Sequence, residues 1–144
     1  AVLVARVLSQ RFGFGETTIA LAGVAAFLGH LYPVFFRFQG GKGVATAAGV
    51  LLALNPWVGL ASLGTWLAIA IVTRYSSLAA LVTAVLAPVY TWWLIGDLQV
   101  VALVAVMSVL LIWRHRVNIS KLRNGTESKL GSKARSSSPH ERSS

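Results

Sequence analysis

The chain has 144 residues, room for one compact unit, and 56% of them are hydrophobic while only 12% are charged, against about a quarter charged in soluble domains. With a mean hydropathy of +0.70, that much apolar surface could not be hidden inside a water-soluble fold of this size, so the bilayer is the expected solvent. The net charge of +9 does not argue for nucleic acid, because eight of the thirteen Lys and Arg residues follow Trp113, outside the apolar region. A basic segment after a membrane helix reads as an orientation signal and a contact for anionic lipid. Cysteine is absent, which excludes disulfides, thiolate metal sites and a Cys nucleophile.

In chain order, Val2 to Leu8 reads as the end of an apolar helix interrupted by Arg6. The sequence opens at Ala1 inside this apolar run, with no basic leader before a cleavage site, so the expectation is a chain whose beginning is missing. Thr17 to Phe36 is long enough to span, since a spanning helix needs about 20 apolar residues. Val44 to Leu54 is apolar but short and closes at Asn55-Pro56. Trp57 to Thr73, Ser77 to Ile95 and Leu98 to Trp113 are further candidates, ended by Arg74, Gly96-Asp97 and Arg114-His115-Arg116. The expected fold is therefore an all-α, polytopic transmembrane bundle of five to six hydrophobic segments. Residues 1–130 would form the membrane-embedded domain, and residues 131–144, Ser-rich and basic, a disordered tail.

Charge orients these spans. With the tail in the cytoplasm and one crossing per segment, Arg37, Lys42, Arg74 and the tail share the inner side. The short outer turns at Asn55 and Asp97 hold no basic residue, as the positive-inside rule requires. The scheme needs Val44 to Leu54 to cross, or nearly cross, the membrane. Trp57, Trp92, Trp93 and Trp113 lie near span ends and read as interfacial anchors.

The stretch with chemistry in it is Gly40-Gly41-Lys42-Gly43, just before the helix expected from Val44. Three glycines let the backbone approach a ligand and turn its N–H groups inward, and the helix N-terminus adds partial positive charge at the same place. Lys42 supplies a full charge, with Arg37 nearby, so the loop reads as an anion cradle best suited to phosphate. The same residues also fit a tight turn whose lysine obeys the positive-inside rule. A nucleotide P-loop would need Ser or Thr after the lysine; Gly43 stands there, so ATP hydrolysis is excluded. His30 lies in the preceding apolar span, where an ionisable group usually faces the bundle interior, either as a neutral imidazole bonded to another helix or in direct contact with substrate.

The second stretch is Arg114-His115-Arg116-Val117-Asn118 through Glu127. On a continuing helix, His115 and Asn118 share a face and could orient a hydroxyl or a phosphate; alternatively the segment only binds lipid head groups. Glu127, alone among basic residues, reads as a partner for a nearby Arg. Arg74 reads as an anchor and Ser77 as a possible helix N-cap. No G-x-S-x-G elbow, no metal-ligand spacing among His30, His115 and His140 and no pair of acids is present. A reaction here would rest on positioning and charge stabilisation, which suits a substrate that already carries a good leaving group.

These residues resemble a known family. Gly29-His30-x-Tyr32-Pro33-Val34-Phe35 through Gly40-Gly41-Lys42-Gly43-Val44-Ala45-Thr46 is similar to the central motif of the bacterial acyl-phosphate:glycerol-3-phosphate acyltransferases. Arg114-His115-x-x-Asn118-Ile119-x-x-Leu122-x-x-Gly125-Thr126-Glu127 is similar to their C-terminal motif, and Arg74-Tyr75-Ser76-Ser77-Leu78 to the segment between. The resemblance runs from about Thr17 to Glu127. It implies a multi-pass inner-membrane enzyme, without cofactor or metal, that takes glycerol 3-phosphate and acyl phosphate and works within membrane lipid. The product would be lysophosphatidic acid with release of phosphate; nucleic acid is no partner. Carried over, Gly40, Gly41, Lys42 and Gly43 hold the glycerol 3-phosphate phosphate, with His30, Arg74 and Ser77 as further substrate contacts. His115, Asn118 and Lys42 take the catalytic roles, and Glu127 is the structural acid. The family's N-terminal Gly-Ser-Gly-Asn-x-Gly-Ala-Thr-Asn motif is not in this sequence, so the chain is expected to lack that part of the enzyme.

Two other readings compete. A transporter or channel for a small phosphorylated solute would use the same basic loop and His30, but no string of ionisable residues marks a path through the spans. A non-catalytic scaffold with a lipid-binding tail would leave the glycine–lysine loop unexplained, and a degraded relative without activity is the alternative to a chain whose beginning is missing. Soluble-type glycerolipid acyltransferases show His, four residues, then Asp; Phe35 follows His30 at that spacing and Ser120 follows His115, which excludes their chemistry.

Overall fold

The computed structural model describes residues 2–13, 15–31 and 42–131. Among them are seven helices: α1 (Val2–Phe12), α2 (Glu16–Leu31), α3 (Val44–Leu54), α4 (Pro56–Thr73), α5 (Ser76–Leu94), α6 (Leu98–Arg114) and α7 (Arg116–Arg123). The all-α expectation holds. From α2 to α6 each helix packs on the next, and α6 returns to α2, so the five close into a ring. Outside that ring, α1 lies against α2 and α3, and α7 lies against α5 and α6.

By length and composition α4 and α5 are each able to cross a bilayer, and α6 with α7, bent by 57° at their break, forms a third such unit. The segment expected to cross, or nearly cross, at Val44 to Leu54 is too short for a full crossing. Its 11 residues rise about 16 Å against a hydrocarbon core of about 30 Å. The Thr17 to Phe36 candidate appears as α2, which ends at Leu31; residues 32–41 lie outside the described part.

The last carbonyls of a helix have no partner within it and need a donor from elsewhere. Arg6 solves this for α3. Its Nη1 donates to the Ala53 carbonyl at 2.9 Å and its Nη2 to the Leu54 carbonyl at 3.0 Å. The arginine that interrupts an apolar run in sequence is thus the cap of another helix in space. The next helix follows at once: the Asn55 side chain accepts from the backbone N–H groups of Trp57 and Val58, with Pro56 at the first helical position, the favoured pattern of a helix start. At this hairpin α3 and α4 approach closely through Gly59, where a Cβ would stand 2.5 Å from the Leu52 backbone.

Between these helices the buried residues include Phe27 and Leu31 of α2, Val50 and Leu51 of α3, Ala80, Ala84 and Ala87 of α5, and Val104, Met107 and Leu111 of α6. The outward faces of α1, α4 and α6 remain apolar and exposed, as at Val7, Leu67 and Val109, which is how a lipid-facing surface reads.

Candidate active site

The site gathers at the end of the bundle where α3 and α5 begin and α4 and α6 finish. It starts from Gly43, the N-cap of α3, whose φ of 78° is left-handed. Phe27 and Leu31 of α2, both fully buried, press against it, and a Cβ there would lie 2.6 Å from the Phe27 ring. Glycine is therefore required on two counts, conformation and space. Lys42 precedes it and is exposed. Gly40 and Gly41, assigned with them to the phosphate, lie outside the described residues, as does Arg37.

Across from this loop α6 ends at His115. The continuous helix expected past Trp113 is instead broken there, with His115 at φ −89° and ψ 7°, and α7 sets off from Arg116. His115 is 1% exposed and Asn118 8%, so both turn into the protein, as a shared face required, although the helix between them is kinked. The His115 Nδ1 stands 2.8 Å from the Leu111 carbonyl. A carbonyl only accepts, so Nδ1 carries the proton, and in the neutral ring Nε2 carries the lone pair. Burial pushes the His115 pKa below its ordinary value. The Leu111 bond resists this, the Lys42 charge adds to it and the Glu127 charge opposes it.

Glu127 bridges α5 and α7. Its Oε1 accepts from Ser77 Oγ at 2.6 Å and from Asn118 Nδ2 at 2.7 Å. The sequence reading offered this carboxylate an arginine; its Oε1 takes two neutral donors. Burial opposes its ionisation, but those two hydrogen bonds and the charges of Lys42 and Lys121 outweigh burial and hold its carboxyl below the ordinary value. The Asn118 amide is thereby oriented, with Oδ1 left to accept. Ser77 is not the N-cap it was expected to be: Tyr75 holds that place, and Ser77 is buried inside the first turn, committed to Glu127.

Lys42, Ser77, His115, Asn118 and Glu127 thus come together, Lys42 near enough for its charge to act on both His115 and Glu127. Arg74 is exposed at the end of α4, and its Nη2 donates to the Leu130 carbonyl at 2.9 Å. His30, expected to face the bundle interior, is exposed in the last turn of α2. Among the described residues, no three His, Asp or Glu side chains are grouped to hold a metal ion.

Beneath the cluster lies a cavity of about 360 Å³ between α3, α4, α5 and α6. Its wall includes Val44 and Ser76, neighbours of Gly43 and Ser77, and Leu111, the acceptor for His115; it runs on past Ala80, Ala84 and Ala87. The sequence reading missed it. The signal was there in the recurrence of alanine at 80, 84 and 87, one face of α5 lined with side chains too small to fill the ring.

The described geometry can be set beside known proteins. The family described as glycerol-3-phosphate acyltransferase matches residues 1–125. A glycerol-3-phosphate acyltransferase of Paraburkholderia phytofirmans is 62% identical over 123 residues, which is 85% of this chain and 58% of that protein. One from Burkholderia pseudomallei is 64% identical over 129 residues, 88% of this chain and 64% of that protein. Two crystal structures of PlsY (YgiH), an integral membrane glycerol 3-phosphate acyltransferase, superpose well. Its glycerol 3-phosphate form gives a TM-score of 0.83 at 39% identity, covering 92% of this chain and 65% of that one. Its lysophosphatidic acid form gives 0.81 at 40%, covering 90% and 65%. The chain spans about three fifths of the length of the curated relatives it matches. On the match over residues 1–125 and these identities, the chain belongs to the glycerol-3-phosphate acyltransferase family.

Proposed function

We propose that the chain carries the transfer of an acyl group from acyl phosphate to the 1-hydroxyl of sn-glycerol 3-phosphate, giving lysophosphatidic acid and phosphate, at the cytoplasmic face of a bacterial inner membrane. The observation that carries this reading is the polar cluster of Lys42, His115, Asn118, Ser77 and Glu127 at one end of an apolar cavity of about 360 Å³. Few substrates need a cation and hydrogen-bonding groups at the membrane surface with an apolar cleft directly below; a phosphate-bearing head joined to a long acyl chain does. The names of the two PlsY forms, glycerol 3-phosphate and lysophosphatidic acid, support an acceptor and a product of this kind.

In the proposed step the glycerol hydroxyl oxygen attacks the acyl carbonyl carbon. The bond from that carbon to the phosphate oxygen breaks, and the departing phosphate takes the hydroxyl proton. Acyl phosphate is a mixed anhydride, so no acyl-enzyme is required, and the protein contributes mainly position and charge. Lys42 with the N–H groups of Gly40, Gly41 and Gly43 would hold the glycerol 3-phosphate phosphate, and His30 would join that end of the loop. The His115 Nε2 and the Asn118 side chain would orient the reacting groups, one of them accepting the single O–H of the hydroxyl before its proton passes to the departing phosphate. Residues 131–144, with their basic side chains, would lie along the anionic inner leaflet.

The test is phosphate release from acyl phosphate in lipid or detergent, with and without glycerol 3-phosphate. It is run on the chain itself and on a chimera in which the chain replaces the matching segment of the Paraburkholderia phytofirmans relative. Release that depends on glycerol 3-phosphate, yields lysophosphatidic acid and disappears in Lys42→Ala is the expected result. A folded chimera with no such release would refute the proposal and favour a transporter or an inactive relative.

A further inference from the structure

Glu127 can join α5 to α7 only if the chain carrying it is held in place. That chain is tied at both ends. On the α7 side, Gly125 turns with a φ of 66° and the Thr126 N–H donates to the Lys121 carbonyl at 2.8 Å. On the other side, the Leu130 N–H donates to the Arg74 carbonyl at 2.7 Å, while Arg74 Nη2 donates to the Leu130 carbonyl at 2.9 Å. One residue thus satisfies both backbone groups of Leu130. Beside this pair, the Lys129 ammonium lies 5.7 Å from the centre of the Tyr75 ring, within the range of a cation–π contact.

Arg74 occupies this place against its own backbone preference. It caps α4 with a φ of 61°, and among the described residues it is the non-glycine position with positive φ. Glycine would end the helix there without steric conflict, so the arginine is explained by its side chain. Its spacing fits that use. Ser77 follows Arg74 by three residues and Glu127 precedes Leu130 by three, so the clasp lies at equal reach from both ends of the Ser77–Glu127 hydrogen bond.

We propose that Arg74 and the backbone of Leu130 form a clasp that sets the position of Glu127, and through it the orientation of Asn118, for acyl transfer. Arg74 is then a positioning residue and not a direct contact for the substrate phosphate. The inference rests on the acyl-transfer reading of the same site. Each hydrogen bond from Asn118 and Ser77 goes to a charged acceptor, the stronger class of such bonds. A carboxylate displaced by even an ångström releases the amide that it aims.

The test uses four variants in the chimera described above. Arg74→Ala removes the guanidinium, and Leu130→Pro removes the N–H donor. Leu130→Ala keeps the backbone and trims an exposed side chain. The fourth variant joins Arg74→Ala to Glu127→Ala. Arg74→Ala and Leu130→Pro should each lower kcat by about 10- to 100-fold, the range seen when groups supporting a site are lost, with little change in KM for glycerol 3-phosphate. Leu130→Ala should behave as wild type, and Arg74→Ala should add nothing to Glu127→Ala, because residues acting through one another are not additive. Additive losses, or a raised KM in Arg74→Ala with Leu130→Pro unchanged, would overturn the clasp and return Arg74 to the substrate. Amide exchange at Leu130 in the unsubstituted protein needs no variant to fold: a slow amide supports the clasp and a fast one refutes it. An inactive parent chimera would instead count against the acyl-transfer reading and leave the clasp to the exchange measurement.

Discussion

Replacing Gly43 with alanine tests whether the loop before α3 is held by packing against α2. Two costs apply. A left-handed φ of 78° is worth about 1–2 kcal/mol against a residue with a Cβ. The new methyl would also meet the Phe27 ring at 2.6 and 3.1 Å and Leu31 at 3.2 Å, and both neighbours are fully buried, so neither can swing aside into open space. Overpacking of this kind costs about 1–3 kcal/mol. Together the substitution should destabilise by about 2–5 kcal/mol, a large part of a net stability that is itself about 5–15 kcal/mol. The control is Gly64→Ala, an exposed site in α4 where a Cβ meets nothing within 4 Å and φ is not positive. It should gain about 0.5–1 kcal/mol through helix propensity. Thermal unfolding of both variants in detergent gives the comparison, with KM for glycerol 3-phosphate as the second readout, since a displaced Gly43 carries Lys42 with it. Equal melting temperatures for the two variants would refute the argument.

Three further outcomes are expected. Glu127→Gln removes a charge that supports the protonated form of His115, so the His115 pKa, already below its ordinary value, should fall further. Turnover that needs the neutral ring would then persist to lower pH than in wild type, and an acid limb that moves up would contradict the assignment. The same substitution tests stability. A carboxyl held below its ordinary value stabilises the fold above that ordinary range and loses the effect as pH falls through the depressed value. The melting-temperature gap between wild type and Glu127→Gln should therefore close in acid. Ala84→Phe places a ring in the cavity between α4 and α6 and should shift preference toward shorter acyl phosphates, measured as the ratio of kcat/KM for long and short chains; an unchanged ratio would show that the acyl chain lies elsewhere.

What the sequence made legible follows from the solvent. In a bilayer, charged residues are expensive and so fall at ends or functional points. Arg74, Lys42 and Arg114 therefore marked the ends of helices correctly, and they lie at the end of the bundle where the site gathers, whereas Arg6 lies at the opposite end, where α3 stops. The glycines around Lys42 were legible for a related reason: a left-handed turn against packed rings leaves few alternatives, and Gly43 meets both conditions. From spacing alone Ser77 read as an N-cap and Glu127 as an arginine's partner, while the resemblance separately implied a substrate contact for Ser77 and a structural acid for Glu127. The two spacing readings do not hold, because fifty residues separate the two members of one hydrogen bond. Spacing rules reach three or four residues along a helix, and nothing in them reports what crosses a bundle.

Arg6 shows the same limit from the other side. As a charge in an apolar run it looked like a defect in a span, and hydropathy counts it as one. Its use depends on where α3 stops, 47 residues away, and on the carbonyls that the last turn of a helix leaves without a partner of its own. The end of a helix carries a demand, and an arginine inside an apolar run is a supply. Matching the two before assigning either would have joined α1 to α3 from the sequence alone.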